Sequence, residues 1–533
     1  MKKKNILFII LLIIFSISVV RIEFQNDTFF SIAVGRQIMD TGVDMQEHLT
    51  WHEGLMYTYS HWLFDLINVF LFDFAGFKAI YIFVILMTII TAISLYTVLK
   101  RLNKNFYCIP FIITLITIVM AGHYFTARAQ IISYLLFILE VYFIEKLLDT
   151  NKKRYILGLL LISIIIANVH AAVWLLCLVF YLPYLAEAFF GYFSAKNRYK
   201  RMIARIEKKL KLKDNAEDIE VLKEKLEKLR RIYKKYEENE NKNKKIYITE
   251  HKYIKTLIIV FVITLFTGLL TPIKDTPYTY IFKTMGGISP QNITELRPVA
   301  PIVDIEFLTY IIVIIFCIAS NKAKINLADG FMILGLVFMA MSSVRCISYL
   351  LLIGSIPLTR IIFNYMNSYN KYDAIDIAYE KVINKYKFLK ISFAFYMFVV
   401  ALSVFTQVNF GKKFVNETKY PVAACEYILD NLDVESMRIY NEFNYGSYLE
   451  YKGIPVFIDS RSEMYTEQYN DTTVFQDYID IEDGRKNYME VFDKYNITHV
   501  LIPSDDIVAK YIFNDSNYKL IYEDSNFVLY ERV

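Results

Sequence analysis

Residues 1–27 read MKKKNILFIILLIIFSISVVRIEFQND: three lysines, an apolar run from Ile6 to Val20, and then Arg21, Glu23 and Asp27 in quick succession. An apolar run of that length behind basic residues reads as a membrane-spanning helix whose start lies on the cytoplasmic side. It also has the charged and apolar regions of a signal peptide, but no small-x-small cleavage site precedes Arg21, so it is expected to stay as a first span. Asp27 then falls just past the membrane edge, where a carboxylate is costly unless it has a partner or a task.

The same grammar continues along the chain. With 533 residues, of which 55% are hydrophobic and 16% aromatic, the protein is too apolar for an ordinary soluble enzyme and too long for one compact domain. Apolar segments occupy 5–22, 77–99, 106–122, 129–147, 155–170, 172–193, 254–271, 305–320, 327–343, 346–365 and 389–407. With the N-terminus cytoplasmic, every basic cluster falls on the cytoplasmic side: Lys100, Arg101 and Lys104; Lys152, Lys153 and Arg154; a long basic insert; Lys322 and Lys324; and Lys385, Lys387 and Lys390. The expectation is a polytopic α-helical protein of the plasma membrane with about 11 spans in residues 1–407, and an extracytoplasmic domain at 408–533. The segment 61–74 is apolar but short and carries Asp65 and Asp73, so it reads as an interfacial helix.

Three regions then face outward: the first loop (23–76), the segment 272–304 and the tail. The insert, 196–253, places Leu222, Leu226, Leu229, Tyr233 and Tyr236 at three- and four-residue spacing after an Asp214-Asn215 break, the pattern of a cytosolic helical hairpin with one apolar seam. Its positive charge suits an anionic lipid leaflet, and no nucleic-acid-binding module is recognisable, so lipid rather than nucleic acid is the expected contact. In the tail, 455–459, 499–503 and 527–530 read as strands and 423–432 and 491–495 as helices, which describes a small α/β domain. Five scattered cysteines without a CxxC pair support neither a zinc site nor a disulfide framework. The first loop holds His48, His52 and His61, but at no metal-binding spacing.

On this topology Asp27, His61, Arg128, His170, Glu295 and Arg345 all come to the outer membrane face. Convergent carboxylates, histidines and arginines at one face suit an anionic, membrane-borne substrate: arginine binds phosphate through two N–H groups, and a carboxylate takes a proton or holds a cation.

Four short stretches resemble one family. Asn26-Asp27-Thr28-Phe29-Phe30-Ser31, Asn292-Ile293-Thr294-Glu295 with Leu296-Arg297-Pro298, Val344-Arg345-Cys346, and Phe443-Asn444-Tyr445-Gly446-Ser447-Tyr448-Leu449 with Val456-Phe457-Ile458-Asp459-Ser460-Arg461 occur in an order similar to the GT-C superfamily of polyprenyl-phosphate-dependent glycosyltransferases, most closely the oligosaccharyltransferase catalytic subunits. The resemblance covers most of the chain and implies a GT-C-like fold. It implies an inverting transfer of sugar from a polyprenyl-phosphate-linked donor to an extracytoplasmic acceptor, which is a glycan, a lipid or a protein. By the same resemblance Asp27 is the catalytic group, as base or as metal ligand. Arg345 and Arg128 hold the donor phosphate, with His170 and His61 as further contacts, and Glu295 positions the acceptor or shares a cation. Asn444, Tyr445, Gly446, Asp459 and Arg461 form the tail motif. The chain departs from the family where the turn 122–128 lacks the Asp-x-Asp of metal-dependent members, where Asn444 stands for an aspartate, and where both motif tryptophans are missing. Either no cofactor is required, or a divalent cation (Mg or Mn) is bound if Asp27 and Glu295 converge. Two other readings stay open: a catalytically silent assembly protein for cell-envelope polysaccharide, and a transporter of lipid-linked sugar.

Overall fold

The computed structural model describes residues 6–212, 216–243, 245–285, 293–320, 322–369 and 373–533. Lys2, Lys3, Lys4, Asn292 and the Asp214-Asn215 break lie outside the described residues, as do the side chains of Tyr236, Lys385 and Lys387.

A helix occupies each of the eleven apolar segments. Phe77–Leu102, Ala171–Phe193 and Phe388–Asn409 are long and apolar enough to cross a membrane, and a fourth crossing results if Val344–Leu352 and Ser355–Asn367, bent by 48°, form one span. Ile6–Val19, Cys108–Met120, Ile254–Thr267, Ile305–Ala319 and Leu327–Ser342 are apolar but shorter. The bend has a local cause: Pro357 has no N–H to donate and its ring crowds the carbonyl four residues back, at Ile353. Gly354 lets a neighbour close on the break, since a Cβ there would stand 2.5 Å from the hydroxyl of Tyr310, which donates to the Gly354 carbonyl.

Large apolar side chains also cover the outside of the bundle. Ile82, Leu86 and Ile90 form a half-exposed stripe on one face of Phe77–Leu102, and Phe388, Ile391 and Phe395 do the same on the last long helix. Continuous apolar surface of this kind is unfavourable in water and natural against lipid, so the protein is a membrane protein.

The insert forms two packed helices, Ala195–Leu210 and Ala216–Asn243, with Ile206, Leu226 and Leu229 buried between them and Arg230 paired with Glu207 at 2.7 Å. Next to it, β1 (Ile246–Tyr247) pairs in parallel with β2 (Ile325–Asn326).

The tail carries a four-stranded sheet of β3 (Ile439–Asn441), β4 (His499–Pro503), β5 (Tyr518–Glu523) and β6 (Phe527–Arg532) in the order β3-β4-β6-β5. β3 and β4 are parallel, and the other two pairings are antiparallel. The expected strand at 455–459 is absent; Val456 makes one isolated bridge, to Thr50 of the first loop. Pro455 cannot donate to a ladder, and the Asn441 side chain takes the place of a neighbouring strand: its Oδ1 accepts from Phe457 N at 2.9 Å and its Nδ2 donates to the Ile458 carbonyl at 2.8 Å. β3 escaped the sequence reading because its three residues are too few to show a period.

First loop and tail share one core, in which Phe30, Val34, Tyr57 and Tyr59 pack with Phe457, Ile458, Tyr465 and Phe475. At its centre Arg461, 3% exposed, pairs with Glu47 of the first loop and with Glu450 and Asp459 of the tail, the last two at 2.7 and 2.6 Å. Its guanidinium lies against the rings of Phe30 and Tyr57, about 5 Å from each centroid. Three carboxylates for one cation would leave excess negative charge. Burial and the nearby Asp459 push the Glu450 carboxyl well above the usual range, so it keeps its proton, while Arg461 holds Asp459 down against its own burial. Arg461→Met leaves Glu47 and Asp459 buried without a counter-charge and should cost about 3–5 kcal/mol. Thermal unfolding of the purified protein checks this, and an unchanged melting temperature would contradict the clamp.

Candidate functional site

Asp27 lies in the first turn of the helix Asn26–Thr41, where unpaired backbone N–H groups favour an anion. Asn26 donates to the Phe443 carbonyl at 3.0 Å, tying the same turn to the tail. The rest of this helix is set by its neighbour Trp62–Ala75. Gly35 permits the close approach, because a Cβ there would come 2.4 Å from the Asp65 carbonyl oxygen. Asp65, fully buried, accepts from Ser31 Oγ at 2.6 Å and pairs with His61 Nδ1 at 2.9 Å, and Asn68 donates to Ser31 Oγ.

Arg128 is carried by the turn between Cys108–Met120 and Gln130–Thr150. Glu295 belongs to a loop laced to the start of the bent helix pair: Arg345 N donates to the Glu295 carbonyl at 3.1 Å and Val344 N to the Arg297 carbonyl at 3.0 Å. Arg297 in turn grips Asp304 with two nitrogens, at 2.7 and 2.9 Å.

These segments bring four charged groups together. Arg128 Nε lies 2.8 Å from Asp27 Oδ2, Arg128 Nη1 lies 2.7 Å from Glu295 Oε2, and Arg345 Nη2 reaches that same oxygen at 3.1 Å. Both contacts to Glu295 are hydrogen bonds, whereas the contact to Asp27 is an ion pair whose N–H is not aimed at the oxygen. Exposure of the side chains runs from 17% for Arg128 to 42% for Glu295, so the group is open to a ligand. Burial works to raise the Glu295 carboxyl, but the guanidiniums of Arg128 and Arg345 outweigh it and hold the carboxyl down at about 2.

The four groups line a cavity of about 1440 Å³. Small-molecule pockets run to roughly 1,000 Å³, so the space admits more than one small ligand. Tail residues Glu442, Asn444, Tyr445 and Glu463 complete the wall, and Arg21, Lys412 and Lys419 lie on the side of Gln407 and Val408, at the end of the last long helix.

Other expected site residues fall elsewhere. His61 and His170 do not line the cavity; His61 serves Asp65, and His170 Nδ1 pairs with Ser133 Oγ at 2.9 Å. Asp459 and Arg461 belong to the buried clamp. Tyr445 reaches the cavity edge while its hydroxyl donates to the Leu501 carbonyl at 2.7 Å, and Gly446 opens a helix so close to the Ile458 carbonyl that any Cβ would collide with it. Glu442, Glu463 and Lys419 were missed. Glu463 stands two residues beyond Arg461 and accepts from the Tyr280 hydroxyl at 2.6 Å, a contact between distant segments that no local spacing announces.

A divalent ion does not fit Asp27 and Glu295 as they stand, because a guanidinium lies between them and Glu295 Oε2 is shared by two. Among the described residues one group of three carboxylates is set to hold a metal ion: oxygens of Glu442, Glu482 and Asp506 lie within 4.8 Å of one another.

No family model matches the chain, and no curated protein matches it in sequence. Among solved structures it is similar to the oligosaccharyltransferase of Archaeoglobus fulgidus in its apo form, at 10% identity and a TM-score of 0.55 over 94% of this chain and 70% of that one. The archaeal enzyme AglB from the same organism, in complex with an inhibitory peptide and a dolichol-phosphate, gives 9% identity and a TM-score of 0.53 over 94% and 70%. The form tethered to an acceptor peptide containing the sequon NVT gives 10% and 0.53 over 94% and 69%. The chain therefore shares the fold of these oligosaccharyltransferases, in line with the resemblance read from its sequence.

Burial first, then Asp506 and Glu482, raise the Glu442 carboxyl, and burial with Asp506 brings Glu482 up to about 7. Raised carboxyls bind more protons folded than unfolded, so their contribution to stability is complete below about pH 4.3, the unfolded value. It is lost as pH rises through the folded values. Glu482→Gln should flatten the fall in melting temperature between about pH 4.3 and 7, and an unaltered slope would contradict the burial of this charge.

Proposed function

We propose that the protein is an integral-membrane glycosyltransferase of GT-C type that moves a sugar from a polyprenyl-phosphate-linked donor to an extracytoplasmic acceptor. The observation that carries this reading is the pairing of Asp27 and Glu295 with Arg128 and Arg345 on one wall of a cavity that extends from the end of an apolar helix to the tail. It is also supported by the fold shared with an oligosaccharyltransferase whose structure holds a dolichol-phosphate. In this reading residues 1–407 form the transmembrane domain, with the N-terminus cytoplasmic and the insert 196–253 in the cytosol. The first loop, the Glu295 loop and the domain 408–533 are extracytoplasmic.

The donor's phosphate binds Arg345, whose buried Nε has no partner within the protein. An unpaired buried N–H is costly, and a phosphate oxygen relieves it. The acceptor's oxygen or nitrogen attacks the anomeric carbon of the donor sugar, its proton passes to Asp27, and the carbon–oxygen bond to phosphate breaks with its electron pair leaving on the phosphate. Attack opposite the leaving group inverts the anomeric centre. Arg128 and Arg345 supply the fixed positive field into which the leaving charge develops, the largest contribution expected in such a site. Glu295 holds both guanidiniums in place and positions the acceptor, with Asn444 and Tyr445 also lining the cavity.

Asp27→Asn should reduce transfer from a polyprenyl-phosphate-linked sugar by about 10²-fold or more, with elution volume unchanged and only a small drop in melting temperature from loss of the partly exposed pair with Arg128. Arg345→Lys should raise the donor KM more than it lowers kcat, because lysine keeps the charge and loses the forked contact. Full transfer by Asp27→Asn would remove the proposed base. Movement of intact lipid-linked sugar without any transfer would favour transport, and neither activity would favour an assembly role.

A further inference from the structure

We infer that Arg128 is the resident cation of this site and that the protein neither binds nor uses a divalent metal between Asp27 and Glu295. Any ion drawing on both carboxylates would have to lie between them, and the guanidinium already lies there, 2.8 Å from one and 2.7 Å from the other. Arg345 adds a second fixed positive charge on the same Glu295 oxygen, so an entering dication would meet two like charges at contact range. The turn from Gly122 to Arg128 contains no carboxylate, and His123 within it packs its ring against Tyr124 with centroids 3.9 Å apart. Two carboxylates against two guanidiniums already balance. A fixed organic cation thus does the work of a bound ion in orienting Asp27 and Glu295, and it comes from the turn that lacks the Asp-x-Asp of metal-dependent members.

This inference rests on the proposed function only for the location of the reacting groups, and its test reads metal binding rather than turnover. Purified full-length protein in lipid nanodiscs would be titrated with Mn²⁺ and bound ion counted by electron paramagnetic resonance. The Glu482→Gln background would be used throughout, so that the tail trio contributes least. Asp27→Asn should leave the number of bound ions unchanged. Arg128→Gln, which removes the guanidinium between the carboxylates, frees Asp27 and leaves Glu295 to Arg345 alone, should bind one further Mn²⁺ per chain, and that ion should vanish in the double variant with Asp27→Asn. Loss of a bound ion on Asp27→Asn alone would overturn the inference whether or not Arg128→Gln folds. A folded Arg128→Gln protein that gains no ion would also overturn it. If transfer is detected, chelator treatment should leave its rate unchanged. A protein that shows no transfer but the expected Mn²⁺ pattern would fail the functional proposal while keeping this one.

Discussion

One guanidinium gathers the candidate site of this protein. Asp27 belongs to the first loop and Glu295 to a loop more than half the chain away, yet both pair with Arg128, and Arg345 from a later turn joins through Glu295. At contact distance and an effective dielectric near 20, one ion pair gives about 4 kcal/mol, and less where water reaches it. A charge left unpaired at a membrane edge is costly, though less so than at the bilayer centre. Pairing therefore removes the penalty that made Asp27 conspicuous, without removing its access to a ligand.

A second cation serves a different end. Arg461 is buried with three carboxylates and two aromatic rings, and it locks the tail to the first loop. Arg128 sits in a cavity wall and is partly exposed; Arg461 is sealed. The contrast separates groups arranged to meet a substrate from groups arranged to hold two segments together, although both occur beside motif-like sequence. The clamp also serves the site, because the tail contributes Glu442, Asn444 and Tyr445 to the cavity and can do so only while it is docked.

The helices were legible because long apolar runs and terminal Lys and Arg are strong local signals. The hairpin from Ala195 to Asn243 was legible from its leucine spacing. Asp27, Arg128, Glu295 and Arg345 were found through their shared face and a family resemblance, but the sequence had no means of showing that Arg128 stands between the two carboxylates. Asp459 and Arg461 looked like site residues and are placed in the clamp, since their burial depends on Glu47, 414 residues away in sequence, as well as on nearby Glu450. The stretch 455–459 had strand composition, but its backbone partner is the side chain of Asn441, which no period reveals.

The most direct measurement is an experimental structure of the full chain in a nanodisc with a polyprenyl-phosphate-linked sugar, prepared with Mn²⁺ present. The account predicts the phosphate within hydrogen-bond distance of Arg345, the anomeric carbon facing the Asp27 side of the cavity, and Arg128 still between Asp27 and Glu295. A phosphate bound away from Arg345, or a metal ion bridging Asp27 and Glu295 with Arg128 displaced, would contradict it.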